Sequence, residues 1–304
     1  MTARVLPVVA ALLATACGTD APAASAPSTF AGVTATTVTY CTDGGTAQTL
    51  DVYEPARGAS PHPLLVVIHG GSWAFGSSSL REQNPLTQMV VTTLLGRGFA
   101  VASIDYRLAP ADPWPAQIID ARCAIRYLRA TASRWRVDPR RFTVIGNSAG
   151  GHLASLVALS DGQVPQWDNS QYAAQSSGFA AVVDAWGPAD LTSPGWSATA
   201  VAIGRPVFGA AWGSNSDALR VASPAAYAHS GAPPFLIVQG WSDTLVPPQQ
   251  SVELRDRLLA AGDAATLIAV AHAGHELRPV GGPISPDLGS LTQRVVAFLE
   301  SVAG

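Results

Sequence analysis

Short apolar runs recur along the chain and alternate with longer stretches of helical periodicity. Residues 64–68, 99–104, 142–145, 180–183, 235–238 and 266–270 are almost wholly apolar and rich in β-branched side chains, the pattern of strands buried on both faces. Residues 33–40 instead alternate with threonine, which predicts a half-exposed edge strand. Asp43-Gly44-Gly45 then predicts a turn and 48–53 the returning strand of a hairpin. Helices are expected over 86–97, 118–131, 148–159, 249–261 and 288–302. In the second, Asp120 near the start and Arg129 near the end suit the helix dipole. Strands alternating with helices give an α/β chain with a mostly parallel central sheet and helices on both faces. One stretch, about 186–232, shows no long periodic element and carries Trp186, Trp196, Phe208 and Trp212 among scattered glycine and proline. Long insertions of this kind are usually functional. It reads as a small lid insertion over the carboxyl end of the sheet, its aromatics lining a pocket or packing a core of their own.

Composition sharpens this picture. The 304 residues, 48% hydrophobic, suffice for one large domain. A net charge of −3 points to no nucleic-acid partner and no basic membrane-binding face. The first residues read as a targeting segment: Arg4, a short apolar core over 5–13, then Ala14-Thr15-Ala16 before Cys17 and Gly18. This resembles a bacterial lipoprotein signal, except that Ala14 stands where leucine is commonest. Cys17 is then either the lipidated residue of a membrane tether or a small residue beside a simple cleavage site. The division expected is a signal over 1–17, an Ala/Pro/Ser-rich disordered tether over 18–33 and a catalytic domain over 34–304, in a protein exported to the membrane surface or secreted. Cys41 and Cys123 remain, either bonded, as an oxidising compartment allows, or two buried thiols.

The chemistry centres on Gly146-Asn147-Ser148-Ala149-Gly150, a G-x-S-x-G match between an apolar strand and an apolar helix. In that context the serine is a nucleophile on a strained turn, with the helix start aimed at the same spot. A serine nucleophile needs a base and an acid to orient it, in the order Ser, Asp, His. Asp243 and His275 both fall just after predicted strands, at the edge where ligands gather; Asp190 and His272 are the second choices. Gly70-Gly71 after the strand 64–68 lets backbone N–H groups approach an oxyanion, so Gly71, Ser72 and Ala149 are the expected donors. Trp73, Trp186 and Trp241 are assigned to the substrate pocket. No metal or organic cofactor is expected, since the cysteines and histidines lack metal-ligand spacing.

Five segments in one order, His69-Gly70-Gly71-Ser72-Trp73, Asp105-Tyr106-Arg107-Leu108, Gly146 to Gly151, Gly240-Trp241-Ser242-Asp243 with Val246-Pro247, and Gly274-His275, make the chain resemble an α/β-hydrolase carboxylesterase of the group related to hormone-sensitive lipase and the acetyl and feruloyl esterases. Two departures are mild: Ser72 replaces the commonest third glycine, and Trp241 stands where a small polar residue is frequent. The resemblance implies the α/β-hydrolase fold, an exported serine carboxylesterase acting on small to medium esters through an acyl-enzyme, and a structural role for Asp105, Tyr106 and Arg107 in bracing the elbow. The alternatives are an amidase, peptidase or formamidase-type hydrolase on the same fold, or a non-catalytic surface-binding protein.

Overall fold

The structure is a computed structural model and describes residues 28–304. The signal, Cys17 and the tether up to residue 27 lie outside the described residues. The last part of the segment read as tether is ordered: β1 (Thr29–Phe30) and β2 (Val33–Thr34) pair antiparallel as a small separate hairpin. Phe30 is buried there in a core cluster with Tyr53, which explains why this end of the segment is held.

The main sheet has eight strands: β3 (Thr36–Asp43), β4 (Thr46–Tyr53), β5 (His62–Ile68), β6 (Ala100–Ile104), β7 (Val137–Asn147), β8 (Ala181–Ala185), β9 (Phe235–Gly240) and β10 (Ala265–Val270). Their spatial order is β10-β9-β8-β7-β5-β6-β4-β3. The six strands from β10 to β6 run parallel; β4 is antiparallel to both β6 and β3. The expected hairpin is thus the antiparallel edge of an otherwise parallel sheet. All seven residues of β5 are buried, His62 included, and the apolar run 64–68 is covered on both faces.

Helices α2 (Ala116–Ala130), α3 (Ala149–Leu159) and α6 (Pro248–Ala260) cover one face with a continuous core; α1 (Pro85–Gly96) and α7 (Leu288–Ala303) cover the other. Their starts carry the side chains that satisfy exposed N–H groups: Asn84 accepts from the Thr87 N–H before α1, with Pro85 at the first helical position, and Asp287 accepts from Ser290 before α7. Cys41 in β3 and Cys123 in α2 form a disulfide, their Cα atoms 6.4 Å apart. It ties the outermost strand to a helix of the covered face.

The insertion does contain regular structure, contrary to expectation. It holds α4 (Ala198–Phe208) and the short α5 (Asp217–Val221), each started by a serine, Ser197 or Ser216, that accepts a backbone N–H. Gly204 and Pro206 break the periodic pattern of α4 in the sequence. Gly209, left-handed at φ 69°, ends it.

Candidate active site

The carboxyl ends of β5, β7, β9 and β10 converge on one rim of the sheet, and the residues expected to carry the chemistry all come from the loops that leave them. Ser148 stands between β7 and α3 with φ 54° and ψ −119°, a conformation that costs a non-glycine residue about 1–3 kcal/mol. The flanking glycines make this turn feasible. A Cβ on Gly146 would lie 2.1 Å from the Gly150 carbonyl oxygen, and one on Gly150 would lie 2.0 Å from that of Ile68. The elbow is therefore pressed directly against the end of β5, where the next site element begins.

That element is the turn Gly71-Ser72-Trp73, whose φ values of 106°, 57° and 57° are all positive. Ser72 and Trp73 of this turn line one crevice with Ser148, and the carbonyl of Gly71 accepts N–H groups from Ala74 and Phe75. Ala149 is the first residue of α3, so its N–H is one of the helix-start donors that have no partner within the helix. The Tyr106 hydroxyl donates to the carbonyl of His69 at 3.0 Å, and the two rings stack 4.1 Å apart. Arg107 holds the buried Asp120 through both Nε and a terminal nitrogen, at 2.8 and 2.7 Å. The Asp105-Tyr106-Arg107 segment is structural, as its resemblance implied, but it braces the turn at His69 and the β6–α2 junction rather than the elbow itself.

His275, leaving the last strand, places Nε2 3.0 Å from Ser148 Oγ and Nδ1 2.7 Å from Asp243 Oδ2. A carboxylate only accepts, so Nδ1 carries the proton, and Nε2 is free to accept from the serine hydroxyl. Asp243 is buried, and its second oxygen accepts the N–H groups of Leu245 and Val246 at 2.8 and 2.9 Å. Those two bonds fix the carboxylate plane; the other oxygen faces the imidazole at 2.7 Å, with Gln239 Nε2 a longer donor at 3.4 Å. The second-choice residues lie elsewhere. Asp190 accepts from Thr192 and sits 3.7 Å from Arg257; His272 packs beside Gly282.

Next to Ser148 is a narrow crevice with a cavity volume of about 10 Å³. Ser72 and Trp73 form one wall, Leu245 and Val246 another, and Ala200, Ile203 and Trp212 of the insertion cover it. Trp73 is where the sequence placed it, but the other two assigned pocket residues are corrected. Trp186, at φ 47°, breaks the strand alternation after β8 and is buried in the core against α1 and α7. Trp241 follows β9 directly and is 50% exposed, outside the crevice. Trp212, one of the aromatics noted in the insertion, takes the covering role; Ala200, Ile203 and Pro188 carried no sequence signal that would have picked them out.

A wider groove of about 620 Å³ lies beside the turn, lined by Gly70, Gly71, Phe75, Glu82, Glu276 and Arg278 among others. Deeper in the body, His152, four residues after Ser148, is fully buried among Trp73, Trp114 and Phe208, and burial lowers its imidazole to about 4. Its Nε2 bonds the carbonyl of Ala222 at 2.7 Å, joining α3 to the insertion. Asp184 of β8 is pushed up to about 6 by burial, even though Ser155 and the Gly187 N–H both donate to it.

Comparison with known proteins gives a consistent result. The BD-FAE family model matches residues 50–258. The chain is 29% identical over 261 residues to Esterase LipC of Mycobacterium tuberculosis, covering 84% of this chain and 62% of that protein. It is 30% identical over 236 residues to Esterase LipQ of the same organism, covering 74% and 53%. The chain thus spans about half to three-fifths of the length of these curated relatives. Among solved structures, a truncated form of a carbohydrate esterase from gut microbiota superposes with a TM-score of 0.75 over 91% of this chain and 99% of that one, at 24% identity. At that identity the likeness is one of fold.

Proposed function

The chain belongs to the BD-FAE family and has the α/β-hydrolase fold, and from that premise we propose that it is an exported serine carboxylesterase that hydrolyses small to medium esters through Ser148, His275 and Asp243. The observation that carries this reading is the unbroken hydrogen-bonded path from Ser148 Oγ through the imidazole to the buried Asp243, beside a turn of positive-φ residues. In the first step His275 Nε2 takes the hydroxyl proton as Oγ attacks the ester carbonyl carbon. The carbonyl oxygen, now an anion, rests on the N–H groups of Gly71, Ser72 and Ala149, each such donor being worth about 3–4 kcal/mol of transition-state stabilisation. The C–O bond to the alcohol then breaks, and the imidazolium, held by Asp243, returns the proton to the leaving oxygen. Water repeats the cycle on the acyl-enzyme, releasing the acid and restoring Ser148.

The Cys41–Cys123 bond supports the exported part of this reading, because such bonds persist in oxidising compartments. Hydrolysis of p-nitrophenyl acetate by the wild type and by Ser148→Ala tests the activity. Turnover abolished by the substitution is expected; equal turnover by both proteins overturns the assignment of the nucleophile, and no turnover of any ester by folded wild type overturns the enzyme. Membrane fractionation of the full chain with Cys17→Ala tests the tether, the expected result being release into the soluble fraction.

A further inference from the structure

An ester bound for the chemistry above has its placement fixed at three points. Its carbonyl carbon faces Ser148 Oγ, its carbonyl oxygen faces the Gly71-Ser72 turn, and its alcohol oxygen must lie on the side of His275 Nε2 to receive the proton. The acyl chain is the remaining substituent and points away from His275, into the crevice walled by Ser72, Trp73 and Val246. The crevice has a cavity volume of about 10 Å³, room for roughly one water molecule. A methyl group is of that size; a propyl chain or a phenyl ring is not.

Trp212 is what closes it. A Cβ on Gly204 of α4 would lie 2.0 Å from Trp212 Nε1 and 2.3 Å from its Cε2, so the indole occupies the place a side chain would otherwise fill and lies flat on the helix. Its ring also meets Trp73 edge-on with centroids 5.7 Å apart, and Trp196 at 4.6 Å. It is buried. Held on three sides, it cannot swing aside without displacing its neighbours, and close-packed interiors resist such displacement.

We propose that Trp212, seated on Gly204, sets the acyl specificity of the site and restricts it to acetyl esters. The proposal rests on the esterase reading above and narrows its acyl range to two carbons; aromatic acyl groups are excluded with the longer aliphatic ones.

The test measures kcat/KM on p-nitrophenyl acetate, butyrate and octanoate and on a hydroxycinnamate ester, for the wild type, Trp212→Ala and Ile203→Ala. For the wild type, acetate is expected to exceed butyrate by about 10- to 200-fold per excluded methylene step, the range that such pockets achieve. In Trp212→Ala the butyrate-to-acetate ratio is expected to rise at least tenfold. Ile203→Ala, on the same wall, is expected to move it in the same direction by a smaller factor, and serves if the first variant does not fold. A wild type that turns over butyrate or the hydroxycinnamate as well as acetate overturns the proposal, as does an unchanged ratio in a folded variant. Either result leaves the esterase activity itself standing, whereas inactivity of the folded wild type on every ester is the separate failure of the reading it rests on.

Discussion

Asp243→Asn is the most informative single change. The two side chains have the same shape, so the loop packing is preserved and the effect is confined to hydrogen bonding. Leu245 and Val246 each donate an N–H to Oδ1, so the asparagine oxygen must stay on that side, where it accepts both. The amide NH₂ then faces His275 Nδ1 at the 2.7 Å position now held by Oδ2. Two donors cannot share that contact. The imidazole moves its proton to Nε2 and presents N–H to Ser148, losing the lone pair that receives the hydroxyl proton. A serine protease triad changed in the same way loses about 10⁴ in kcat. The expectation here is a loss of about 10³–10⁴ in kcat/KM, or about 4–5 kcal/mol at 1.4 kcal/mol per tenfold. The assay is p-nitrophenyl acetate hydrolysis alongside a thermal melt, with Asp190→Asn as comparator, expected within about twofold of wild type. A variant that melts like wild type and keeps kcat/KM within tenfold would refute the assignment of Asp243 as the residue that sets the imidazole tautomer.

Three further outcomes follow from the packing. Gly150→Ala drives a methyl into the carbonyls of Ile68 and His69, at 2.0 and 2.6 Å, and so displaces the oxyanion turn; kcat is expected to fall by about 10² or more, as for a misplacement of about 1 Å, and a near-normal kcat would sink the account of the elbow. Cys41→Ser with Cys123→Ser removes a cross-link spanning 82 residues, which in the chain-entropy account costs about 4–5 kcal/mol, read from urea unfolding; equal stability with and without the bond would be the contrary result. For Asp184, the buried carboxyl sits at about 6, above its value in the unfolded chain, so the unfolded state gives up its proton first and stability contributed by this group falls as pH rises from about 4 to 6. His152, lowered to about 4, slopes the opposite way over much of that window. The quantity to measure is therefore the stability of Asp184→Asn relative to wild type, which is expected to grow over that range; a flat difference would contradict it.

The strands and the reacting groups were legible in the sequence for the same reason: both depend on local pattern. Runs such as 64–68 are apolar on every position because both faces of β5 are covered. The glycines around Ser148 are required by contacts of about 2 Å, so the motif and its geometry are one fact. The pocket was less legible because it depends on where side chains point after the pattern ends. Trp186 sits one residue beyond β8, and a positive φ sends it to the α1/α7 face. Trp241 is likewise one residue past its strand and faces solvent. Helix α4 was missed because Gly204 interrupts its apolar stripe, yet that interruption is the seat of Trp212. A glycine that weakens a helix locally carries no sign of the distant ring that needs the space.

The insertion leaves the sheet at Ala185 and returns at Phe235, on strands that lie side by side with Val182 opposite Phe235. Its two ends are further pinned by the Trp186 N–H on the Val238 carbonyl and the Val182 N–H on that of Pro234. The exit at Ala185, opposite Val238, and the entry at Phe235, opposite Val182, lie at opposite ends of two parallel neighbours, so the insertion is the crossover that joins them. Its middle can change in length or content while both ends stay pinned to the ladder, so the residues over the crevice are free to diversify at a different speed from the sheet that carries Ser148.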